Sequence, residues 1–140
     1  MNDMSRIWRI PTPPPDRSLY EAMARGFMGR CPSCGRGRLF RSYLKVVNIC
    51  EVCGEELSGH RADDAPAYVT LLIVAHVVGA GILLSEEIWP HSSMLWVVLI
   101  WLAVTVVASV IILPRAKGAI VGQQWALGMY GFGSHLSNKT

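Results

Sequence analysis

Two long apolar stretches decide the fold of this chain. Residues 67–84 read AYVTLLIVAHVVGAGILL, residues 94–113 read MLWVVLIWLAVTVVASVIIL, and neither contains a formal charge. As helices they would extend about 27 and 30 Å, close to a hydrocarbon core about 30 Å thick. Neither stretch has the polar stripe of a surface helix. The sequence therefore predicts two transmembrane helices joined by a short loop, rather than two buried helices of a soluble protein.

The rest of the chain has the composition of a small polar head. The 140 residues are 51% hydrophobic and 16% charged, whereas a soluble domain averages about 25% charged residues. Residues 1–66 hold ten of the thirteen Lys and Arg, eight of the ten acids and all four cysteines. The low charged fraction excludes a disordered chain, and four cysteines are too few for a disulfide scaffold. We expect a flexible basic, proline-rich tail over 1–17, a zinc-ribbon-like head over 18–66, the spans and their loop over 67–113, and an interfacial segment over 114–140.

Positive charges near the span ends predict the orientation. The connector over 85–93 contains no Lys or Arg, whereas Arg61 precedes the first span and Arg115 and Lys117 follow the second. Because Lys and Arg accumulate on the cytoplasmic side of spans, we expect both termini to be cytoplasmic.

Four cysteines form two short knuckles in the head. Cys31 and Cys34 belong to CPSCG, Cys50 and Cys53 belong to CEVCG, and fifteen residues separate the two pairs. The pattern C-x2-C-x15-C-x2-C is typical of a zinc site, because each tight turn offers two thiolates to one ion. A glycine after each second cysteine permits the left-handed backbone of such turns. We expect structural Zn²⁺ that supplies much of the folding free energy of a small head.

Other interpretations of the cysteines remain open. Rubredoxin-like iron uses similar knuckles, although the fifteen-residue gap suits a ribbon better. Redox-active cysteines are a further alternative, and disulfides fit poorly with a cytosolic head. Because four thiolates fill a tetrahedron and leave no position for a catalytic water, we expect no enzymatic activity.

One histidine lies inside the first span. His76 is near its middle, and an ionisable side chain at that depth points to function or to a specific partner. In an antiparallel pair Thr105 has a similar depth, so we expect His76 to bond a hydroxyl or carbonyl. The alternatives are proton transfer, contact with haem or copper, and recognition of a partner helix. Ala75 and Gly79, with Gly81 nearby, should allow the helices to approach closely.

Helix boundaries are signalled at several points. Asp63 and Asp64 precede the first span, where they favour a helix start, or alternatively a polar docking patch. Ser18-x-x-Glu21 resembles a capping box that would begin a short helix. Beyond Pro114 we expect an interfacial helix on the membrane, and packing against the zinc head is the rival interpretation.

The whole arrangement resembles the bacterial domain-of-unknown-function family 983. The resemblance covers roughly residues 24–132 and rests on CPSCGRGRLFRSYLKV, CEVCG, RADDAPAYVTLLIVAH and LPRAKGAIVGQQWAL in that order. Ala65 departs from the family pattern, which has glycine after the second aspartate. The resemblance implies a small inner-membrane protein with a cytoplasmic zinc-ribbon-like head, associated with haem–copper oxidase components and assembly factors. It implies no reaction.

We therefore expect a non-catalytic adaptor or assembly factor, with respiratory haem–copper oxidases as the candidate complexes. Its expected partners are the lipid bilayer and a membrane protein that contacts His76, and the sequence leaves a homo-oligomer open. One alternative is a metal- or redox-handling factor that serves a membrane metalloprotein. Another is a membrane-tethered nucleic-acid binder, which the net charge of only +3 disfavours. Its support is a basic cluster around the first knuckle, formed by Arg30, Arg36, Arg38, Arg41 and Lys45.

Overall fold

The structure, a computed structural model, describes residues 17–59, 64–129 and 132. Within these residues the elements in chain order are α1 (Leu19–Phe27), β1 (Phe40–Ser42), β2 (Lys45–Val46), α2 (Ala65–Ile88) and α3 (Met94–Ala126). This arrangement confirms the predicted fold class, a mostly helical chain with two long apolar helices and a small cysteine-containing head.

Both α2 and α3 are long and apolar enough to cross a membrane. They extend beyond the predicted spans of 67–84 and 94–113. Their large apolar side chains face outward, and none of the residues in the most apolar 18-residue window of α3 is buried by the rest of the chain. A soluble protein rarely exposes such a continuous apolar surface, so this exposure favours a lipid environment.

The antiparallel pair of α2 and α3 is closest near the connecting loop. The ring of Trp101 covers Gly81, where any side chain would overlap the indole. Its Nε1 donates to the Ser85 hydroxyl at 3.3 Å, and that hydroxyl donates to the Ile82 carbonyl at 2.8 Å. The close approach therefore occurs at Gly81, whereas Gly79, expected at the contact, has open space around it. Towards the head the helices separate around an open groove of about 550 Å³.

The helix α3 does not end at the proline that follows the predicted span. Pro114 has no N–H to bond the carbonyl of Val110, four residues earlier. Instead the hydroxyl of Tyr43, at the tip of the β1–β2 hairpin, donates to that carbonyl at 2.9 Å. Arg115 Nη1 also donates to the Ile111 carbonyl at 2.8 Å. The expected interfacial segment is thus, in its first part, a continuation of α3.

Four small residues pack the second half of α3 against α1. Ala22 and Gly26 lie four residues apart on α1, as Gly118 and Gly122 do on α3, so each pair occupies one helix face. A Cβ on Gly118 would overlap the Gly26 carbonyl oxygen and lie 2.8 Å from its carbon. A Cβ on Gly122 would meet the Ala22 carbonyl in the same way. This backbone contact fixes the head to the helix that continues from the apolar span.

The head and the end of α3 share one hydrophobic core. In the antiparallel hairpin Phe40 lies opposite Val46, and Leu44 makes the turn with a left-handed φ of 60°. Lys117 Nζ donates to the Leu44 carbonyl at 2.8 Å and ties this turn to α3. Because so small a head cannot fill a core alone, α3 supplies part of its apolar side chains. The core includes Leu39, Val46 and Leu57 from the head and Val121, Trp125 and Ala126 from α3.

The predicted helix starts are reproduced in part. The Ser18 hydroxyl accepts from the Glu21 N–H at 3.4 Å at the beginning of α1. Asp64 occupies the N-cap position of α2 and Pro66 lies in its first turn, but the Asp64 side chain makes no capping hydrogen bond. Asp63 lies outside the described residues. The start of α2 therefore relies on its proline rather than on a carboxylate cap.

Candidate metal centre

The four predicted cysteines meet at one point in the head. Their Sγ atoms all lie within 4.8 Å of one another. The Sγ atoms of Cys31 and Cys53 are 3.8 Å apart, as are those of Cys34 and Cys50. A tetrahedral ion with metal–sulfur distances of about 2.3 Å requires sulfur–sulfur edges of about 3.8 Å. The arrangement therefore fits one metal ion held by four thiolates.

The two knuckles have the same backbone construction. The Gly35 N–H donates to the Cys31 carbonyl at 2.8 Å, and the Gly54 N–H donates to the Cys50 carbonyl at 2.9 Å. Both glycines are left-handed, with φ of 68° and 72°, as their positions in the sequence predict. An isolated antiparallel bridge flanks each knuckle, Arg30 with Arg38 and Ile49 with Glu56. Each turn is thus closed at its base and presents both sulfurs on the same side.

The surroundings of the thiols favour a bound cation. Gly37 donates its N–H to Cys34 Sγ at 3.5 Å, and any side chain there would overlap Cys50 Sγ. Hydrogen bonds from the backbone of Gly37 and of Arg36 lower the pKa of the Cys34 thiol to about 6. Burial raises the pKa of Cys31, which is fully buried. Four thiolates this close repel one another, and a metal ion supplies the positive charge that offsets the repulsion.

The first knuckle is braced by a side chain of α1. Arg25 Nη1 donates to the carbonyls of Pro32 at 3.2 Å and Ser33 at 3.1 Å, the two residues between the first pair of cysteines. Its guanidinium is also 3.3 Å from a carboxylate oxygen of Glu21, one turn earlier. Sequence reasoning missed Arg25, because a basic residue in the last turn of a helix has an ordinary explanation in the helix dipole.

The second knuckle is attached to α3. Glu55, which follows the second CxxCG motif, accepts from Trp125 Nε1 at 2.9 Å. The Arg17 guanidinium lies over the Trp125 ring, 4.2 Å from its centroid, and donates to the Trp125 carbonyl at 2.9 Å. Arg17 is also 4.0 Å from Glu55. These three residues lie far apart in sequence, so no local spacing could reveal them. Arg17, expected at the end of a flexible tail, is part of this cluster.

The cysteines differ in their access to solvent. Cys31 and Cys50 are buried, Cys34 is half-buried and Cys53 is exposed. Among the described residues, no His, Asp or Glu joins the four sulfurs. The ligand set is therefore all-thiolate, and one edge of the site faces outward.

The comparisons with known proteins identify a family and nothing closer. Residues 40–125 match the family described as protein of unknown function (DUF983). The chain belongs to the DUF983 family. The match confirms the resemblance drawn from the sequence, and it includes the second knuckle, α2 and most of α3. No curated protein and no solved structure matches the chain.

In the two candidate membrane helices of this DUF983 chain, His76 and Thr105 each bond a carbonyl of their own helix. His76 is exposed, and its Nδ1 lies 2.7 Å from the Leu72 carbonyl. Because a carbonyl oxygen can only accept, Nδ1 is the donor in this contact. The Thr105 hydroxyl donates to the Trp101 carbonyl at 2.7 Å and lines the groove between α2 and α3. The two side chains predicted at similar depth are thus each bonded to a carbonyl four residues earlier, rather than to each other.

Proposed function

We propose that this DUF983 chain is a non-catalytic adaptor or assembly factor of the bacterial inner membrane. The observation that carries the proposal is the continuity of α3, which runs from an apolar span into the metal-binding head without a break. Because the contact between Gly26 and Gly118 locks the head onto that helix, the head and the span should move as one body. Such a body holds a folded surface at a fixed height above the membrane, which suits a protein that positions a membrane partner.

Zinc is the ion that we assign to the head, in a structural role. A tetrahedral all-thiolate site suits zinc or iron. The fifteen residues between the knuckles are typical of a zinc ribbon, and the complete ligand set leaves no position for a substrate. Arg115 and Lys117 follow the second span, so we place the head and both termini in the cytoplasm.

The groove between α2 and α3 supports a membrane-protein partner. Its volume is about 550 Å³, and Ala75 and Gly79 give it a small-residue wall. Two of its hydroxyls, on Thr70 and Ser109, already bond carbonyls of their own helices at 2.8 and 2.7 Å. The groove therefore offers close apolar packing, the kind of contact through which transmembrane helices associate. His76, exposed next to Ala75, would offer its Nε2 to the same partner.

Site-specific photo-crosslinking in native membranes tests this function. A crosslinking amino acid at Gly79 reports on the groove. The same amino acid at Val77 is the matched control, because Val77 is exposed, does not line the groove and lies two residues away on the other side of α2. We expect subunits or assembly factors of a haem–copper oxidase to be captured at Gly79 and not at Val77. A strain without the chain should assemble less oxidase, and the wild type but not Cys31→Ser should restore it. Crosslinks restricted to lipid or to a second copy, together with normal oxidase assembly, would contradict the proposal.

The exposed edge of the site favours a second candidate, a factor that hands a metal ion to a membrane metalloprotein. Cys53 is exposed, so an acceptor ligand could approach the ion from that side. Release kinetics to a chelator distinguish the two functions. A structural zinc should be retained for hours in the folded protein, whereas a transferable ion, or bound copper or iron, should be lost within minutes.

A further inference from the structure

We propose that the head binds the phosphate of an anionic phospholipid in a cavity beside Arg115. The cavity has a volume of about 400 Å³ and lies where the head meets α3. Its walls are formed by Phe27, Met28, Gly29, Phe40, Pro114 and Arg115. The inference rests on the membrane placement of the two spans, but it needs no protein partner.

The position of the cavity along α3 coincides with the edge of the hydrocarbon core. Met94 to Leu113 extends about 30 Å, the thickness of that core, and the cavity begins one residue later. The ring of Tyr43 is held at the same level by its hydrogen bond to the Val110 carbonyl. Aromatic residues with a polar group concentrate at this depth in membrane proteins.

The side chains around the cavity are apolar and uncovered. Phe27 is 50% exposed, Met28 62% and Tyr43 55%. Phe27 and Met28 end α1 on the side of the head that faces the spans, next to Pro114. In contact with the membrane, these side chains would pack against the glycerol and upper acyl region of a lipid. The exposed apolar surface therefore points towards the bilayer rather than towards water.

The charge of the surrounding segments complements an anionic headgroup. Residues 22–50 contain six Lys and Arg, residues 88–140 contain three, and neither segment contains an acid. Within the part of the chain that the structure describes, the ion pairs join Arg17 to Glu55 and Arg25 to Glu21, and neither involves Arg115. One nitrogen of the Arg115 guanidinium donates to the Ile111 carbonyl. The remaining N–H groups can bind a phosphate through two parallel hydrogen bonds.

A phospholipid fits this cavity better than other phosphates do. A free phosphate would bind the Arg115 guanidinium but leave the apolar walls of Phe27 and Phe40 uncovered. A nucleic acid carries many phosphates but cannot enter a cavity level with the hydrocarbon edge. A phospholipid places its phosphate at this depth and its acyl chains along the apolar surface of α3.

Thermal unfolding of the full chain in neutral detergent tests the inference. Phosphatidylglycerol, phosphatidylcholine, inorganic phosphate and duplex DNA are added in separate titrations, and we expect saturable stabilisation by phosphatidylglycerol alone. Arg115→Gln should weaken the apparent affinity for phosphatidylglycerol about fivefold, the effect of one cation near an anionic surface. Arg36→Gln is the matched control, because Arg36 has the same charge but does not line the cavity, and its affinity should stay within about twofold. Phe27→Ala, a change at an exposed ring that should not impair folding, should also weaken binding.

Several outcomes would overturn the inference. Equal stabilisation by phosphatidylcholine would show apolar contact without charge recognition, and equal stabilisation by inorganic phosphate or duplex DNA would show a general anion site. Equal losses in Arg115→Gln and Arg36→Gln would show diffuse attraction rather than a cavity. Unchanged affinity for phosphatidylglycerol in Phe27→Ala would show that the Phe27 ring does not contact the lipid. This result would overturn the inference even if Arg115→Gln failed to fold. This experiment uses only the purified chain, so a negative result would overturn lipid binding without contradicting the adaptor function. The crosslinking experiment tests that function separately.

Discussion

The hydrogen bond from Tyr43 to Val110 should stabilise α3 at the point where this helix enters the head. Tyr43→Phe keeps the ring and removes only the hydroxyl, which leaves the Val110 carbonyl without its donor because Pro114 has no N–H. Val110 lies three residues before the end of the apolar stretch at Leu113, about 4.5 Å along the helix axis. The freed carbonyl would therefore lie on the hydrocarbon side of the boundary, where water is a poor substitute.

The size of the effect follows from this position. A buried polar group left without a partner costs about 1–3 kcal/mol. Tyr43→Phe should lower the free energy of unfolding by that amount, which corresponds to a fall in Tm of about 3–10 °C for a chain of this length. Tyr68→Phe is the matched control, since Tyr68 is an exposed phenol on α2, and it should change stability by less than about 0.5 kcal/mol.

A double-mutant cycle with Pro114→Ala isolates the hydrogen bond. Alanine restores the missing N–H, which can then bond the Val110 carbonyl, so Tyr43→Phe should cost less than about 0.5 kcal/mol in that background. The four proteins are compared by thermal unfolding in neutral detergent, followed by circular dichroism. If Tyr43→Phe lowers the free energy of unfolding equally in the wild-type and Pro114→Ala backgrounds, the role given to Tyr43 is refuted. If the loss in the wild-type background is no larger than that of Tyr68→Phe, water bonds the Val110 carbonyl in place of the phenol.

Three further predictions concern the helix crossing and the metal centre. Gly118→Ala should lower the Tm by several degrees, because overpacking against a backbone costs more than the roughly 1 kcal/mol gained in helix propensity. Gly79→Ala, at a position with open space, should not lower the Tm. Equal Tm values for the two variants would contradict the close crossing of α1 and α3. Arg25→Gln should speed zinc loss to a colorimetric chelator at least about tenfold, and an unchanged rate would exclude the brace on the first knuckle. Zinc should be released as the pH falls below about 6, the pKa of the Cys34 thiol, because protons then compete with the ion for the thiolates; pH-independent retention would argue against thiolate ligands.

The parts of the structure that were predictable are those encoded by local spacing. Two cysteines separated by two residues, with a glycine following, specify a turn without help from the rest of the chain, and Gly35 and Gly54 adopt the expected left-handed backbone. The two apolar stretches likewise carry their own signal in length and composition. For this reason the metal centre and the helical hairpin could be predicted together with the family.

The parts that were missed depend on residues distant in sequence. A proline normally ends a helix, and nothing near Pro114 shows that Tyr43, from the head, would bond the freed carbonyl of Val110. His76 was expected to bond a hydroxyl or a carbonyl and bonds the Leu72 carbonyl, but depth along a helix could not show which of the two it would be. Two small-x3-small patterns, ending at Gly26 and Gly122, were visible in the sequence and could have indicated the crossing of α1 and α3.

The metal content of the purified chain tests the central claim most directly. Elemental analysis of the full-length protein, purified in mild detergent without chelators, should find one zinc ion per chain. Cys31→Ser and Cys50→Ser, which remove the two buried ligands, should each abolish stoichiometric binding. A wild-type protein without metal, or one whose zinc content survives both substitutions, would contradict the account of the head as a four-thiolate zinc centre.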